Sequence, residues 1–178
     1  MQALTWLGQK IASDCPAIHA KRRQSLFAAT QALFPGQRLT LTRIGRALSS
    51  SALVKHNIKR VDRLLGNLHL AQERQRIYAT LATLLITPHG RPLIIVDGSD
   101  LGNEGEEQLL RASTPAGGRA LTLYEELHPL HQLGNPNVHR LFLKRLKRLL
   151  PKDCHPIVIT DAGFRNSWFR SVATLGWD

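Results

Sequence analysis

Pro92-Leu93-Ile94-Ile95-Val96-Asp97-Gly98 is a short, unbroken apolar run closed by a carboxylate and a glycine. That pattern predicts a buried strand ending at Val96, with Asp97 immediately after it. Pro156-Ile157-Val158-Ile159-Thr160 repeats it and is followed by Asp161-Ala162-Gly163. Between the two runs, Gln108 to Ser113 and Ala120 to Leu127 alternate as strands do, joined by the turn Pro115-Ala116-Gly117-Gly118. Asn137 to Leu150 then reads as an amphipathic helix, with Leu141, Leu143, Leu146, Leu149 and Leu150 inward. Lys144, Arg145, Lys147 and Arg148 face solvent in this reading, and Pro151 stops the helix. Ser167 to Leu175 forms a further helix, so the predicted order over the second half is β-β-β-α-β-α.

Upstream, residues 1–88 read as helices. Leu26, Phe27, Thr30, Leu33 and Phe34 make a helical stripe that stops at Pro35-Gly36. Leu39 to Thr42 is extended, Thr42 caps a short helix through Leu48, and Ser49-Ser50-Ser51 is a loop. Ile58, Val61, Leu64 and Leu65 form the apolar side of the next helix, with Gly66 at a C-cap expected to have positive φ. Ile77, Leu81, Leu84 and Leu85 mark a last helix before Pro88-His89-Gly90. Two domains are therefore expected, residues 1–88 and 89–178.

Charge divides the chain in the same way. The 178 residues carry a formal +11. Residues 1–91 hold 14 basic and 3 acidic side chains, whereas residues 92–178 hold 10 of each. The whole excess therefore sits in the helical half, which implies a polyanionic partner there. No segment approaches the roughly 18 apolar residues of a membrane span, and the first residues lack a signal-peptide core. Nucleic acid is thus expected over membrane, in a cytoplasmic setting and close to the nucleoid when bound. Cys15 and Cys154 lie far apart without metal-type spacing, and are read as idle thiols. His128 and His131, the nearest histidine pair, have no acids or cysteines placed to complete a zinc set.

Lys55, Lys59, Arg60 and Arg63 recur at helical spacing opposite Ile58, Val61 and Leu65. Together with the preceding short helix and serine loop they outline a helix-turn-helix-like unit. In that reading His56 and Asn57 lie near base edges while the cations, with Lys21, Arg22 and Arg23 of the preceding helix, grip phosphates. A solvated charged face is the competing reading.

Asp97 and Asp161 carry the chemistry. If the two strands that they follow are neighbours, the carboxylates share one crevice and repel unless a cation lies between them, and Mg²⁺ (or Mn²⁺) suits an all-oxygen set that also meets phosphate. Spacing alone leaves a turn role open, because Asp-Gly and Asp-Ala-Gly are good turn sequences. Asp100, Glu104, Glu106 and Glu107 read as a solvated acidic loop, with Asp100 a weaker candidate for an outer metal shell. Trp168 and Phe169 are expected in the core.

Val96-Asp97-Gly98-Ser99-Asp100, Leu110-Arg111-Ala112-Ser113, Leu121-Thr122-Leu123-Tyr124-Glu125 and Thr160-Asp161-Ala162-Gly163-Phe164 closely resemble DDE transposases of bacterial insertion sequences. The nearest branch is the hairpin-forming, cut-and-paste one, the insertion-sequence-four family. Lys55 to Asn67 is similar to that branch's end-binding region. The resemblance implies a helical DNA-binding domain followed by a truncated RNase H-like catalytic core, with Asp97 and Asp161 as the first two catalytic carboxylates. It also implies Mg²⁺ or Mn²⁺ as cofactor, transposon terminal repeats in double-stranded DNA as partner, and assembly on paired ends. Gly98 departs from the bulky residue usual in that branch. The family's third carboxylate, a glutamate on a later helix, has no counterpart here, and Glu125 and Glu126 on a predicted strand are not expected to replace it. The chain alone is therefore expected not to cut DNA, which leaves a non-catalytic DNA-binding remnant or competitor as the alternative function.

Overall fold

The computed structural model describes residues 2–34, 38–101 and 106–178. The expected stop at Pro35-Gly36 and the side chain of Glu104 lie outside the described residues. The fold is mixed α/β, with seven α-helices and one four-stranded sheet among the described residues. Contacts divide it into two compact units, Met1–Thr80 and Leu81–Asp178, so the division falls inside a helix.

The first unit contains α1 (Gln2–Asp14), α2 (Ala20–Leu33), α3 (Leu41–Ala47), α4 (Val54–Leu65) and the start of α5 (Leu68–Leu85). Ile11, Cys15 and Ile18 pack with Leu7, Phe27 and Ile77 in one apolar cluster. Ala32, Ile44, Leu48 and Val61 form a second, which joins α2, α3 and α4. The α3–α4 crossing is tight: a Cβ at Gly45 would lie 2.6 Å from the Ile58 Cα, so only glycine admits this approach.

Three local expectations are corrected here. Thr40, not Thr42, caps α3, its side chain accepting from the Arg43 N–H at 3.3 Å. Gly66 has φ −80°, since a backbone bond from its N–H to the Asp62 carbonyl closes the helix without a left-handed residue. Leu65 is exposed, and the inward positions of α4 are Asn57, Val61 and Leu64.

In the second unit the strands are β1 (Leu93–Leu101), β2 (Glu107–Ala116), β3 (Arg119–Pro129) and β4 (Ile157–Thr160), in sheet order β3-β2-β1-β4. The first three form antiparallel neighbours, and β4 returns parallel to β1 through α6 (Pro136–Leu149), with α7 (Asn166–Thr174) following. Gly117 and Gly118, both at positive φ, form the two-residue β2–β3 turn, and the flanking pair Ala116–Arg119 fixes the register. Asp178 bonds along the outer edge of β4, to the Pro156 carbonyl and from the Val158 N–H.

One sheet face is the core. Ile94, Val96, Leu110, Ala112 and Tyr124 are buried there, and Tyr124 stacks on Phe142 of α6 with ring centroids 5.4 Å apart. Trp168 of α7 meets His139 of α6 edge to face. The sequence reading of α6 changes in two places: Leu141 is exposed and Phe142 takes its inward place, and Arg145 turns to the sheet. Phe169 is exposed rather than core. β4 is less buried than its composition suggested, with Ile157 and Ile159 both exposed, because it pairs with β1 on one side only and alternate residues face away from α6.

Candidate nucleic-acid interface and carboxylate pair

His19, Lys21, Arg22 and Ser25 from the start of α2 face His56, Lys59, Arg60 and Arg63 of α4 across an open cleft of about 400 Å³, floored by Leu64 and Asn67. The helical period brings positions 56, 59, 60 and 63 of α4 to this side, while Asn57, Val61 and Leu64 turn inward. α2 supplies the other wall. His19 is its N-cap, its Nδ1 accepting from the Lys21 N–H at 3.3 Å.

Two of the cations are tied down. Arg22 makes a two-pronged bond to Glu73 of α5, 2.7 Å from Nε and 2.6 Å from Nη2, and this hydrogen bond raises the guanidinium pKa further. Arg60 reaches across the cleft to the Ser25 Oγ at 3.3 Å. The side chains of Lys21, His56, Lys59 and Arg63 are exposed, and among the described residues none forms an ion pair. They retain their full hydrogen-bonding capacity for an anion.

Of the nine DNA-binding residues expected from sequence, six line this cleft: Lys21, Arg22, His56, Lys59, Arg60 and Arg63. Three do not. Arg23 donates to the Ile18 carbonyl at 3.1 Å and lines a separate, largely apolar groove between α1 and α2. Lys55 is exposed outside the cleft. Asn57 is buried, its amide turned toward the Ala52 carbonyl at 3.5 Å, so it cannot approach a base edge from this position. Sequence reasoning missed His19 and Ser25, and had Asn67 only as the end of the Lys55–Asn67 stretch. Only the place of His19 just before a basic helix start could have drawn attention to it.

In the second unit, β1 runs on through Asp97 to Leu101, because its hairpin with β2 continues past the point where β4 stops. Asp97 is thus a mid-strand residue and not a strand-end one. The last parallel pair is Val96 with Thr160, so Asp97 follows that pair within β1 and Asp161 follows it just beyond the end of β4. Val96 is buried on the core side, so alternation turns Asp97 away from it, while Asp161 lies in the turn after β4. Both aspartates are exposed.

Their local roles differ. Asp161 holds its own turn, Oδ1 accepting from the Gly163 N–H at 3.0 Å, and a Cβ at position 163 would crowd that oxygen at 3.2 Å. Asp97 forms no hydrogen bond or ion pair among the described residues. Beside it across β2 and β3 stand Arg111 and Glu125, in register with Asp97 and joined at 3.0 Å. Gly98 faces the opposite way, where the Gln108 amide occupies the space a Cβ would need. The expected acidic loop is in part strand: Asp100 pairs with Gln108, and Glu107 pairs with Leu101.

Glu126 lies on the core face, 6% exposed, where Arg145 binds both its oxygens at 2.9 Å and the Tyr124 hydroxyl donates to it. His128 Nε2 is 3.0 Å from Glu126 Oε2 but is not aligned for a hydrogen bond. This carboxylate is committed to the α6–sheet contact and faces away from Asp97. Among the described residues no group of three acids, histidines or cysteines is placed to hold a metal. Cys15 and Cys154 are both free and buried, and burial pushes the Cys154 thiol pKa up. Among the described residues no helix is long and apolar enough to cross a membrane. No family model matches the chain, and no curated protein or solved structure matches it either.

Proposed function

We propose that this chain binds double-stranded DNA through the α2–α4 cleft and is a transposase-type protein of the cut-and-paste DDE class. The observation that carries the DNA reading is the convergence of Lys21 with His56, Lys59, Arg60 and Arg63, more than thirty residues further along the sequence, on one concave surface. A solvated charged face has no need to be concave or to draw cations from two helices. The likeness of the Asp97 and Asp161 motifs to DDE transposases supplies the rest. The strand order β3-β2-β1-β4, with β4 parallel to β1, supports an RNase H-like core.

Mg²⁺ or Mn²⁺ fits the donor set. Asp97 and the Oδ2 of Asp161 are exposed oxygens, and Mg²⁺ is commonly held by one or two carboxylates together with substrate phosphates. When bound, such an ion activates water and stabilises a leaving oxygen at phosphorus. Asp97 and Asp161 would hold it, with Arg111 and Glu125 in register with Asp97 across the sheet.

The engagement of Asp161 Oδ1 with its own turn favours a second reading, a DNA-binding remnant or competitor without cleavage activity. Anisotropy titrations of labelled duplex DNA, with and without Mn²⁺, test both. Tight, salt-sensitive binding lost in Lys59→Ala/Arg63→Ala supports the DNA reading, and equal binding by that variant ends it. Mn²⁺-dependent nicking abolished by Asp97→Asn favours the catalytic reading, while binding without nicking favours the competitor.

A further inference from the structure

We infer that the α2–α4 cleft seats one sugar–phosphate backbone of the duplex, and that α4 does not lie in the major groove as a base-reading helix. The inference rests on the DNA reading above and specifies which part of DNA the cleft contacts. A recognition helix must be convex: it protrudes into a groove about 12 Å wide and presents side chains to base edges. The cationic side of α4 is instead one wall of a concavity, faced by His19, Lys21, Arg22 and Ser25. Arg60 is bonded to Ser25 across the gap, so the two walls are joined. A concave, cation-lined surface complements a convex ridge, and on B-DNA that ridge is the backbone.

The chemistry of the lining agrees. The side chain on α4 best suited to a two-pronged adenine contact, Asn57, is buried. The side-chain donors left at the surface are the cations Lys55, Lys59, Arg60 and Arg63 with His56, and of the two arginines Arg60 is already bonded to Ser25. Lys59 and Arg63 stand one turn apart, about 6 Å along the helix axis, comparable with the separation of neighbouring phosphates on one strand. Lys21 on the facing wall supplies a third contact from outside α4. The charge of Arg22 is matched by Glu73, whereas Arg60, held by the neutral Ser25 hydroxyl, keeps its positive charge at the cleft without having to be ordered on binding. Contacts of this kind fix position on DNA and carry no sequence information directly.

The experiment uses the full chain and three labelled duplexes of equal length, one mixed, one A·T-rich and one G·C-rich, titrated over a range of salt. Lys21→Ala, Lys59→Ala and Arg63→Ala should each weaken binding about tenfold at low salt and by the same factor on every duplex. Each should lower the salt slope by about one, as expected for one lost phosphate contact. Ser25→Phe, checked for helicity by circular dichroism, narrows the cleft and should weaken binding to all three duplexes. Unchanged binding by Lys21→Ala and Ser25→Phe, with losses in Lys59→Ala and Arg63→Ala, would mean that α4 acts alone, and would overturn the inference while leaving DNA binding intact. So would a loss confined to one duplex. No binding by the wild-type chain to any duplex ends the DNA reading itself, and the inference with it.

Discussion

α4 and α6 are alike in sequence and different in fate. Each carries an apolar side and a row of lysines and arginines: Lys55, Lys59, Arg60 and Arg63 in α4, and Arg140, Lys144, Arg145, Lys147 and Arg148 in α6. In α4 Lys59, Arg60 and Arg63 border an open cleft, and Lys59 and Arg63 have no ion-pair partner among the described residues. In α6 two of the five are absorbed by the fold. Arg145 closes on the buried Glu126, and the Lys147 ammonium donates to the Leu175 carbonyl at the end of α7 at 2.8 Å. A basic amphipathic helix is therefore not a functional signal by itself. What decides is whether the fold places an acceptor within reach. Glu126 is within reach of α6, whereas the acid beside the α4 cleft, Glu73, is taken by Arg22.

The two helices are also held differently, and that difference can be broken experimentally. The largest effect is expected at the apolar seat of α4. Gly45→Val puts a side chain where Ile58 backbone atoms already stand at 2.6 Å, and should cost about 3 kcal/mol in urea unfolding, from overpacking. A cost under about 1 kcal/mol would mean that α3 moves off α4 easily and that the cleft wall is soft.

Next comes the ionic seat of α6. Arg145→Ala leaves Glu126 buried without its main partner. Breaking such a pair costs about 3–5 kcal/mol when both groups are buried, and the partial exposure of Arg145 brings this nearer about 2 kcal/mol. Arg145→Ala/Glu126→Gln should recover much of the loss, since a neutral amide tolerates the site better than an unpaired carboxylate. A double variant as unstable as Arg145→Ala alone would show that packing, not charge, holds the helix.

A third effect depends on pH and should be confined to the α6 side. His139 is buried against Phe164 and Trp168, and desolvation, aided by the nearby His128, lowers its pKa below the usual 6.5. The folded form thus resists protonation that the unfolded chain accepts. The stabilising contribution is present above about pH 6.5 and is lost as pH falls below it. Unfolding midpoints should drop over that range in the wild type and drop less in His139→Phe. Identical pH profiles for the two would exclude His139 as the cause.

The smallest stability change is expected where the proposed function is strongest. Lys59→Ala, an exposed substitution on α4, should alter stability by no more than about 0.5 kcal/mol. A loss above 1 kcal/mol would assign Lys59 a structural role, as Arg145 has, and remove the contrast between the helices.

The strand pattern was legible in the sequence because alternation and short apolar runs report local geometry. Each of the four strands lies where Leu93–Val96, Gln108–Ser113, Ala120–Leu127 and Ile157–Thr160 suggested, as does the order β-β-β-α-β-α. Strand ends were not legible: β1 passes through Asp97 because its length is set by pairing with β2 and not by its own residues. The helical positions of the α4 cations were readable from periodicity alone, and so was the one-sided charge. Periodicity could not show that α2 stands opposite α4, that Arg22 is spent on Glu73, or that Asn57 turns inward. The sequence by itself determined which residues share a face of one element, since that follows from backbone repeat. Only the tertiary structure decided which faces meet, because a side chain's partner is chosen by packing between segments tens of residues apart.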